Sequence, residues 1–200
     1  MKSTLPFLLP VGLALTVVLA YAEDKPASAK PTESKSMETA KVIKTEAEWR
    51  ARLTPEQYAI TRQASTERPN GPAYEKFEKE GEGTYYCVCC GAELFTSKEK
   101  FHSGCGWPSF YDAATAKNVL EKVDNSGGMR RVETVCKRCD AHLGHVFDGE
   151  GFKTPTNRRF CINGAALTFV PKGGTAPKLE ELSSAKVEEK KAEVKKAAGE

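Results

Sequence analysis

Two short cysteine pairs, Cys87-Val88-Cys89-Cys90 and Cys136-Lys137-Arg138-Cys139, restrict the fold of this chain more than any other feature. Each is a C-x-x-C knuckle whose outer thiolates point inward from a tight turn. Together the pairs supply the four-sulfur tetrahedron that Zn²⁺ prefers, at roughly 2.3 Å per bond. The stretch from Gly91 to Val135 is longer than the loop of a minimal zinc ribbon, so a sheet segment must fold back between the knuckles. A site of four thiolates keeps no open position, which makes the expected metal, held by Cys87, Cys90, Cys136 and Cys139, structural. Two redox C-x-x-C centres or two structural disulfides are the competing readings. No thioredoxin-like βαβ pattern surrounds either pair. Cys89 lies between two expected ligands and reads as a bystander thiol, an oxidation liability if exposed.

Around the knuckles the pattern is that of strands. Runs rich in aromatic and β-branched residues, such as TYYCV, RRVETV and RRFCI, alternate with Gly, Pro, Asn and Asp. The region from Gly83 to Val170 therefore reads as mostly antiparallel β-sheet with long loops. Two short helices are expected ahead of it. Thr45-x-x-Glu48 and Thr54-Pro55-Glu56-Gln57 both fit the capping box, with Pro55 at the favoured first helical position.

The ends of the chain differ in character from this middle. Lys2, an apolar run from Leu5 to Leu19 and Ala20-Tyr21-Ala22 compose a signal peptide over residues 1–22, cleaved after Ala22. An uncleaved membrane anchor is the alternative, but the run is short for a span and Pro6 and Pro10 interrupt it. Residues 23–40 carry almost nothing to bury and form a disordered linker. Residues 172–200 are a charged, low-complexity tail of interleaved signs. The folded domain is thus expected over residues 41–171, exported and probed by an oxidising, periplasmic environment. A net charge of +3 is too small to argue for nucleic acid, and no phosphate-binding glycine loop occurs. Stable membrane association after signal cleavage is not expected, and nothing calls for assembly beyond a monomer.

Seven cysteines leave Cys105 and Cys161 uncommitted besides Cys89. With Cys161 on a strand, alternation turns Arg159, Cys161 and Asn163 to one face and Phe160 and Ile162 to the other. The second face is core. The first carries a cation, a thiol and an amide, and a guanidinium beside a thiol favours the nucleophilic thiolate. An inert half-buried thiol beside a surface arginine is the plainer reading of those three residues. His142 and His145 follow the second knuckle; beside a reactive thiol they read as proton donors, otherwise as surface histidines. Cys105 sits between Gly104 and Gly106 on a loop ended by Trp107 and Pro108, which suggests a mobile segment.

Four strings, YYCVCCGAELF, KFHSGCGWPSF, VCKRCDAHLGHVF and RRFCINGAALTF, resemble the B-type peptide-methionine (R)-S-oxide reductases in sequence and in order. The resemblance runs from about Tyr58 to Val170. It implies a fold of two antiparallel sheets flanked by short helices, with one structural Zn²⁺ on four cysteines away from the active site. It also implies Cys161 as nucleophile and Cys105 as resolving cysteine. Trp107 would hold the methyl end of the substrate. His142, His145, Arg159 and Asn163 would line the polar end, with Asp148 nearby.

On that resemblance, Cys161 attacks the sulfoxide sulfur of an oxidised protein or peptide, methionine departs, and a sulfenic acid remains. Cys105 condenses with it to a disulfide, which a thioredoxin-like reductant reopens. The chain departs from the family in three places. Gly164 stands where relatives often have Ser and is expected to loosen the strand end, Cys89 is extra to the knuckle, and EGFKTPTN can differ in length. Two rivals share some of these residues: a non-catalytic zinc module that binds a protein, and a thiol peroxidase.

Overall fold

Thr45 and Thr54 each begin a helix by the same reciprocal exchange. In α1 (Glu46–Arg52) the Thr45 side chain accepts from the Glu48 amide while the Glu48 carboxylate accepts from the Thr45 amide at 2.7 Å. In α2 (Pro55–Gln63) Thr54 and Gln57 make the matching pair, both at 3.1 Å, and Ala64 ends the helix in the left-handed region. Both match the capping patterns in the sequence. The computed structural model describes residues 40–113 and 118–178, so the expected signal peptide, all of the expected linker but residue 40 and most of the expected tail lie outside the described residues. Among the described residues no helix is long and apolar enough to cross a membrane.

A third helix, α3 (Pro72–Lys79), follows that the sequence reading did not foresee. Its signals are Pro72 at the first position and the apolar pair Tyr74 and Phe77, both buried. At eight residues it completes too few turns for a helical period to stand out.

Among the described residues, eight strands follow: β1 (Gly83–Cys87), β2 (Glu93–Thr96), β3 (Ser109–Phe110), β4 (Val119–Asp124), β5 (Arg131–Cys136), β6 (His142–Asp148), β7 (Arg158–Ile162) and β8 (Leu167–Pro171). They form one sheet in the order β2-β1-β8 and another in the order β3-β7-β6-β5-β4, with every pair antiparallel. This is the mainly β, two-sheet architecture with N-terminal helices that the sequence led us to expect.

Aromatic rings join the two sheets. Phe95 from the smaller sheet stacks on Phe110 from the larger one, centroids 4.3 Å apart and planes 9° apart, and Tyr85 meets Phe110 edge-on at 5.0 Å. Phe160 packs on Phe95 from β7. Each such side chain contributes about 1.5–3 kcal/mol by leaving water. Because Phe160 and Ile162 are committed to this core, the intervening Cys161 must face outward.

Candidate functional site

The two knuckles are built alike. The carbonyl of Cys87 accepts from the Gly91 amide at 2.8 Å, and that of Cys136 accepts from the Asp140 amide at 2.9 Å. Gly91 and Asp140 both take positive φ, 69° and 56°, which turns each chain back so that two sulfurs point the same way. All four Sγ atoms lie within 4.8 Å of one another and are buried. The nearest pairs form across the knuckles: Cys87 to Cys139 at 3.7 Å and Cys90 to Cys136 at 3.6 Å. A disulfide needs about 2.05 Å. Four sulfurs around one ion at roughly 2.3 Å stand about 3.8 Å apart, so the arrangement fits a tetrahedral metal and not two bonded pairs. The cluster could hold a metal ion. Cys89 is fully buried beside it, which removes the concern over exposure.

The second cysteine pair is the one separated by 56 positions. Cys161 on β7 pairs with Ser109 of β3 on one side and His145 of β6 on the other. Its sulfur lies 3.8 Å from that of Cys105. The Cys105 loop gets there because Gly104 and Gly106 adopt φ of 75° and 88°. A Cβ on Gly106 would stand 2.8 Å from Pro69, and its carbonyl accepts from the Asn70 amide at 2.8 Å. The glycines therefore serve a docked turn here, not the mobile one suggested by composition.

A cleft of ≈ 180 Å³ opens beside the thiols, lined by Thr66, Trp107, Arg131, Gly144, His145, Phe147, Cys161 and Asn163. Trp107 is anchored by its indole N–H, which donates to the Glu67 carbonyl at 3.0 Å. Asn163 is held at both ends, accepting from the Glu67 amide at 3.1 Å and donating to the Leu143 carbonyl at 3.0 Å. The Glu67 carboxylate in turn takes the amides of Gly164 and Ala165, at 2.6 and 2.9 Å. Gly164 does not loosen the strand end: a Cβ there would stand 2.7 Å from that of Ala73, so the glycine permits close packing against α3.

The two histidines meet by an irregularity. Alternation alone would send His142 and His145 to opposite faces of β6. Opposite Thr134 and Val135 the strand carries an extra residue, Gly144 pairing with Thr134 and His142 with Val135. The bulge brings the rings to 5.5 Å. Only glycine fits at 144, since a Cβ would lie 2.0 Å from the Cys161 carbonyl oxygen. The histidines differ in role. His145 reaches the cleft and its Nε2 bonds Asp124 at 2.8 Å. His142 is buried outside the cleft lining, its Nδ1 held by Glu133 at 2.7 Å, and burial lowers its pKa. Glu133 fixes the ring of His142 through its Nδ1 and opposes the effect of burial.

Arg159 shares the face of Cys161, as alternation predicts, but it is not free. Glu150 grips it through two bonds of 2.8 Å and the Phe147 ring lies under it at 4.6 Å. Its charge pulls the Cys161 thiol down, yet the neighbouring Cys105 and burial outweigh it and hold that thiol up. The Cys105 thiol is shifted downward, chiefly by its hydrogen bond with the Cys161 thiol and further by the Ser103 and Ser109 hydroxyls. Arg159 therefore favours the Cys161 thiolate as expected from the sequence, but it acts against Cys105 and burial. Asp148 lies on the opposite face of β6, exposed and paired with Arg158 at 2.8 Å, and does not join the cleft. Sequence reasoning missed Glu67, Ser103, Asp124, Glu133 and Glu150. Glu67, Asp124, Glu133 and Glu150 bind partners on other elements, so no local pattern marks them, whereas Ser103 bonds Cys105 two residues away within its own loop.

Known proteins converge on the same stretch. A family model described as the SelR domain matches residues 53–171. A peptide methionine sulfoxide reductase MsrB of Herminiimonas arsenicoxydans is 53% identical over 132 residues, covering 66% of this chain and 93% of the relative. Proteins of the same name from Chromohalobacter salexigens and Methanosarcina mazei are 50% identical over 131 residues and 48% over 141, covering 66% and 70% of this chain and 96% and 97% of theirs. With its two thiols, tryptophan-walled cleft and four-cysteine cluster in place, this chain belongs to the SelR-domain family, the B-type methionine-R-sulfoxide reductases.

Proposed function

We propose that the protein reduces methionine-R-sulfoxide in peptides and proteins to methionine, with Cys161 as nucleophile and Cys105 as resolving thiol. The observation that carries the reading is the pair of sulfurs at 3.8 Å, one of them in the floor of a cleft walled by Trp107. An indole face suits the methyl group through apolar and sulfur–aromatic contact. His145 and Asn163 suit the oxygen. A chiral sulfoxide offered to these two walls reacts in one hand only.

As the Cys161 sulfur bonds to the sulfoxide sulfur, its proton passes to Cys105 and His145 supplies one to the sulfoxide oxygen. The hydroxyl then moves to the Cys161 sulfur as the bond between the two sulfurs breaks, so methionine leaves and Cys161 holds the sulfenic acid. Cys105 then closes the disulfide with loss of water, and an external dithiol protein reopens it. Cys87, Cys90, Cys136 and Cys139 would hold one Zn²⁺, whose part is to cross-link the two knuckles. The leader in residues 1–22 supports export to the periplasm, where a thioredoxin-like protein would be the donor.

The test is turnover of the two separated epimers of a dye-labelled methionine sulfoxide with dithiothreitol. Activity on the R epimer alone, abolished in Cys161→Ser and kept in Cys105→Ser, is the expected result. Metal-loaded, folded protein inactive on both epimers would overturn the proposal, and faster consumption of peroxide than of sulfoxide would make it a peroxidase.

A further inference from the structure

Cys105 is surrounded by a hydroxyl chain that the reaction outlined above leaves unexplained. Ser103 Oγ donates to Cys105 Sγ at 2.9 Å. The same oxygen accepts from the Cys105 amide at 3.3 Å and stands 2.7 Å from Ser109 Oγ. Ser109 Oγ also donates to the Trp107 carbonyl at 3.1 Å, so its one proton is shared between that oxygen and Ser103, and Ser103 directs its own to the Cys105 sulfur. Ser109 is itself buried, 1% exposed, and its Oγ lies 3.5 Å from the Cys105 sulfur. Hydrogen bonds to an ionised acceptor are about twice as strong as neutral ones, and a chain of donors strengthens each member.

Among the described residues no hydroxyl is found bonded to the Cys161 sulfur. Arg159, which does reach it, is also gripped by Glu150 through two bonds, and Arg131 lines the same cleft. The other titratable groups facing Cys105 do not supply the charge. Cys161 and Arg159 reach it from β7, and Tyr74 from α3. His102, on the Cys105 loop, is turned to Tyr74 and Glu78. Both thiols are partly exposed, but the cleft is lined by Cys161 and not by Cys105.

We propose that Ser103 and Ser109 form a thiolate cradle that gives the Cys105–Cys161 disulfide a fixed polarity, with Cys105 as leaving group and the external dithiol entering at Cys161 through the substrate cleft. This rests on the cysteine roles proposed above. In the closing step Cys105 gives up its proton, its electron pair forms the S–S bond, the S–O bond of the sulfenic acid breaks, and the oxygen leaves as water with that proton. In the opening step a thiolate of the dithiol protein bonds to Cys161 and the S–S electron pair leaves on Cys105, where Ser103 receives it. The donor's second thiol then attacks the donor sulfur, the donor is oxidised to its disulfide, and Cys161 departs as a thiol. A leaving thiolate of lower proton affinity leaves faster, which sets the direction of attack. Substrate and reductant accordingly compete for one cleft.

Two measurements decide it. Oxidised enzyme mixed with a thioredoxin lacking its second cysteine, then quenched with alkylator and digested, should carry the mixed disulfide on Cys161; a mixed disulfide on Cys105 would overturn the polarity. In rapid-quench reactions with sulfoxide, the ratio of disulfide-closing rate to methionine-burst rate should fall about tenfold in Ser103→Ala, and less in Ser109→Ala. The pH midpoint of Cys105 alkylation in a Cys161→Ser background should move upward in the same order. Ratio and midpoint unchanged, with a normal burst, would remove the cradle. Absence of a burst in wild type would instead remove the underlying reaction. Ser103→Thr keeps the hydroxyl and should restore both ratio and midpoint, which a merely packing role would not predict.

Discussion

The sulfurs of Cys105 and Cys161 stand 3.8 Å apart although the residues are 56 positions apart in the chain. The β3–β7 pairing of Ser109 with Cys161 brings the two segments together, and the glycine turn around Cys105 closes the remaining gap. One turnover with sulfoxide and no reductant should therefore remove two of the seven titratable thiols, and peptide mapping should place the bond between these two. Loss of any thiol from Cys87, Cys90, Cys136 or Cys139 in that experiment would contradict the division of labour.

Gly144 should be intolerant of the smallest side chain. Alanine would put its Cβ 2.0 Å from the Cys161 carbonyl oxygen, so β6 and β7 must part. We expect Gly144→Ala to lose about 3 kcal/mol or more by denaturant unfolding, at the upper end of overpacking costs. kcat should fall with it because His145 and Cys161 are paired across that seam.

Glu67 joins three parts of the site: its carboxylate takes the amides of Gly164 and Ala165, its carbonyl takes Trp107 and its amide binds Asn163. Glu67→Ala should cost about 1.5–3 kcal/mol from the charged hydrogen bonds. KM should rise more than kcat falls, since Trp107 and Asn163 line the cleft rather than supply the thiol. Steady-state kinetics on the R epimer and a denaturation curve test both statements.

Asp124 carries a pH signature. Hydrogen bonds from Ser126, then His145 and Arg131, hold its carboxyl well below the usual range. A folded pKa below the unfolded one means that the stabilisation is present above about pH 4 and is lost as the pH falls further. The Tm gap between wild type and Asp124→Asn should accordingly be constant from pH 7 to 5 and narrow below pH 4. At neutral pH the variant should lose about tenfold to a hundredfold in kcat, because His145 loses the partner on its Nε2.

Metal analysis should find one zinc per chain. Its removal by a strong chelator, or Cys139→Ser, should unfold the domain rather than only inactivate it. An ion held there would link β1 to β5 through both knuckles, and structural zinc sites contribute about 10 kcal/mol or more to folding. Metal-free protein retaining the wild-type Tm would show the cluster to be dispensable.

What the sequence determined by itself is what depends on a few neighbouring residues. Helix starts at Thr45 and Thr54 follow from a hydroxyl and an acceptor three positions apart, and each knuckle follows from two thiols on one turn. The sorting of Arg159, Cys161 and Asn163 from Phe160 and Ile162 needs only the two-residue period of a strand. Tertiary structure decided the matters that rest on pairing between distant strands. Alternation would have separated His142 from His145; the bulge opposite Thr134 and Val135 reunites them. Arg159 looks from the chain like a free activator of Cys161, but Glu150 binds it and the Cys105 thiol comes to lie beside the Cys161 sulfur. Charge at the thiols is set by the sum of burial, donors and neighbours, and Glu150 and the partner thiol arrive from segments that meet only after the sheets have formed.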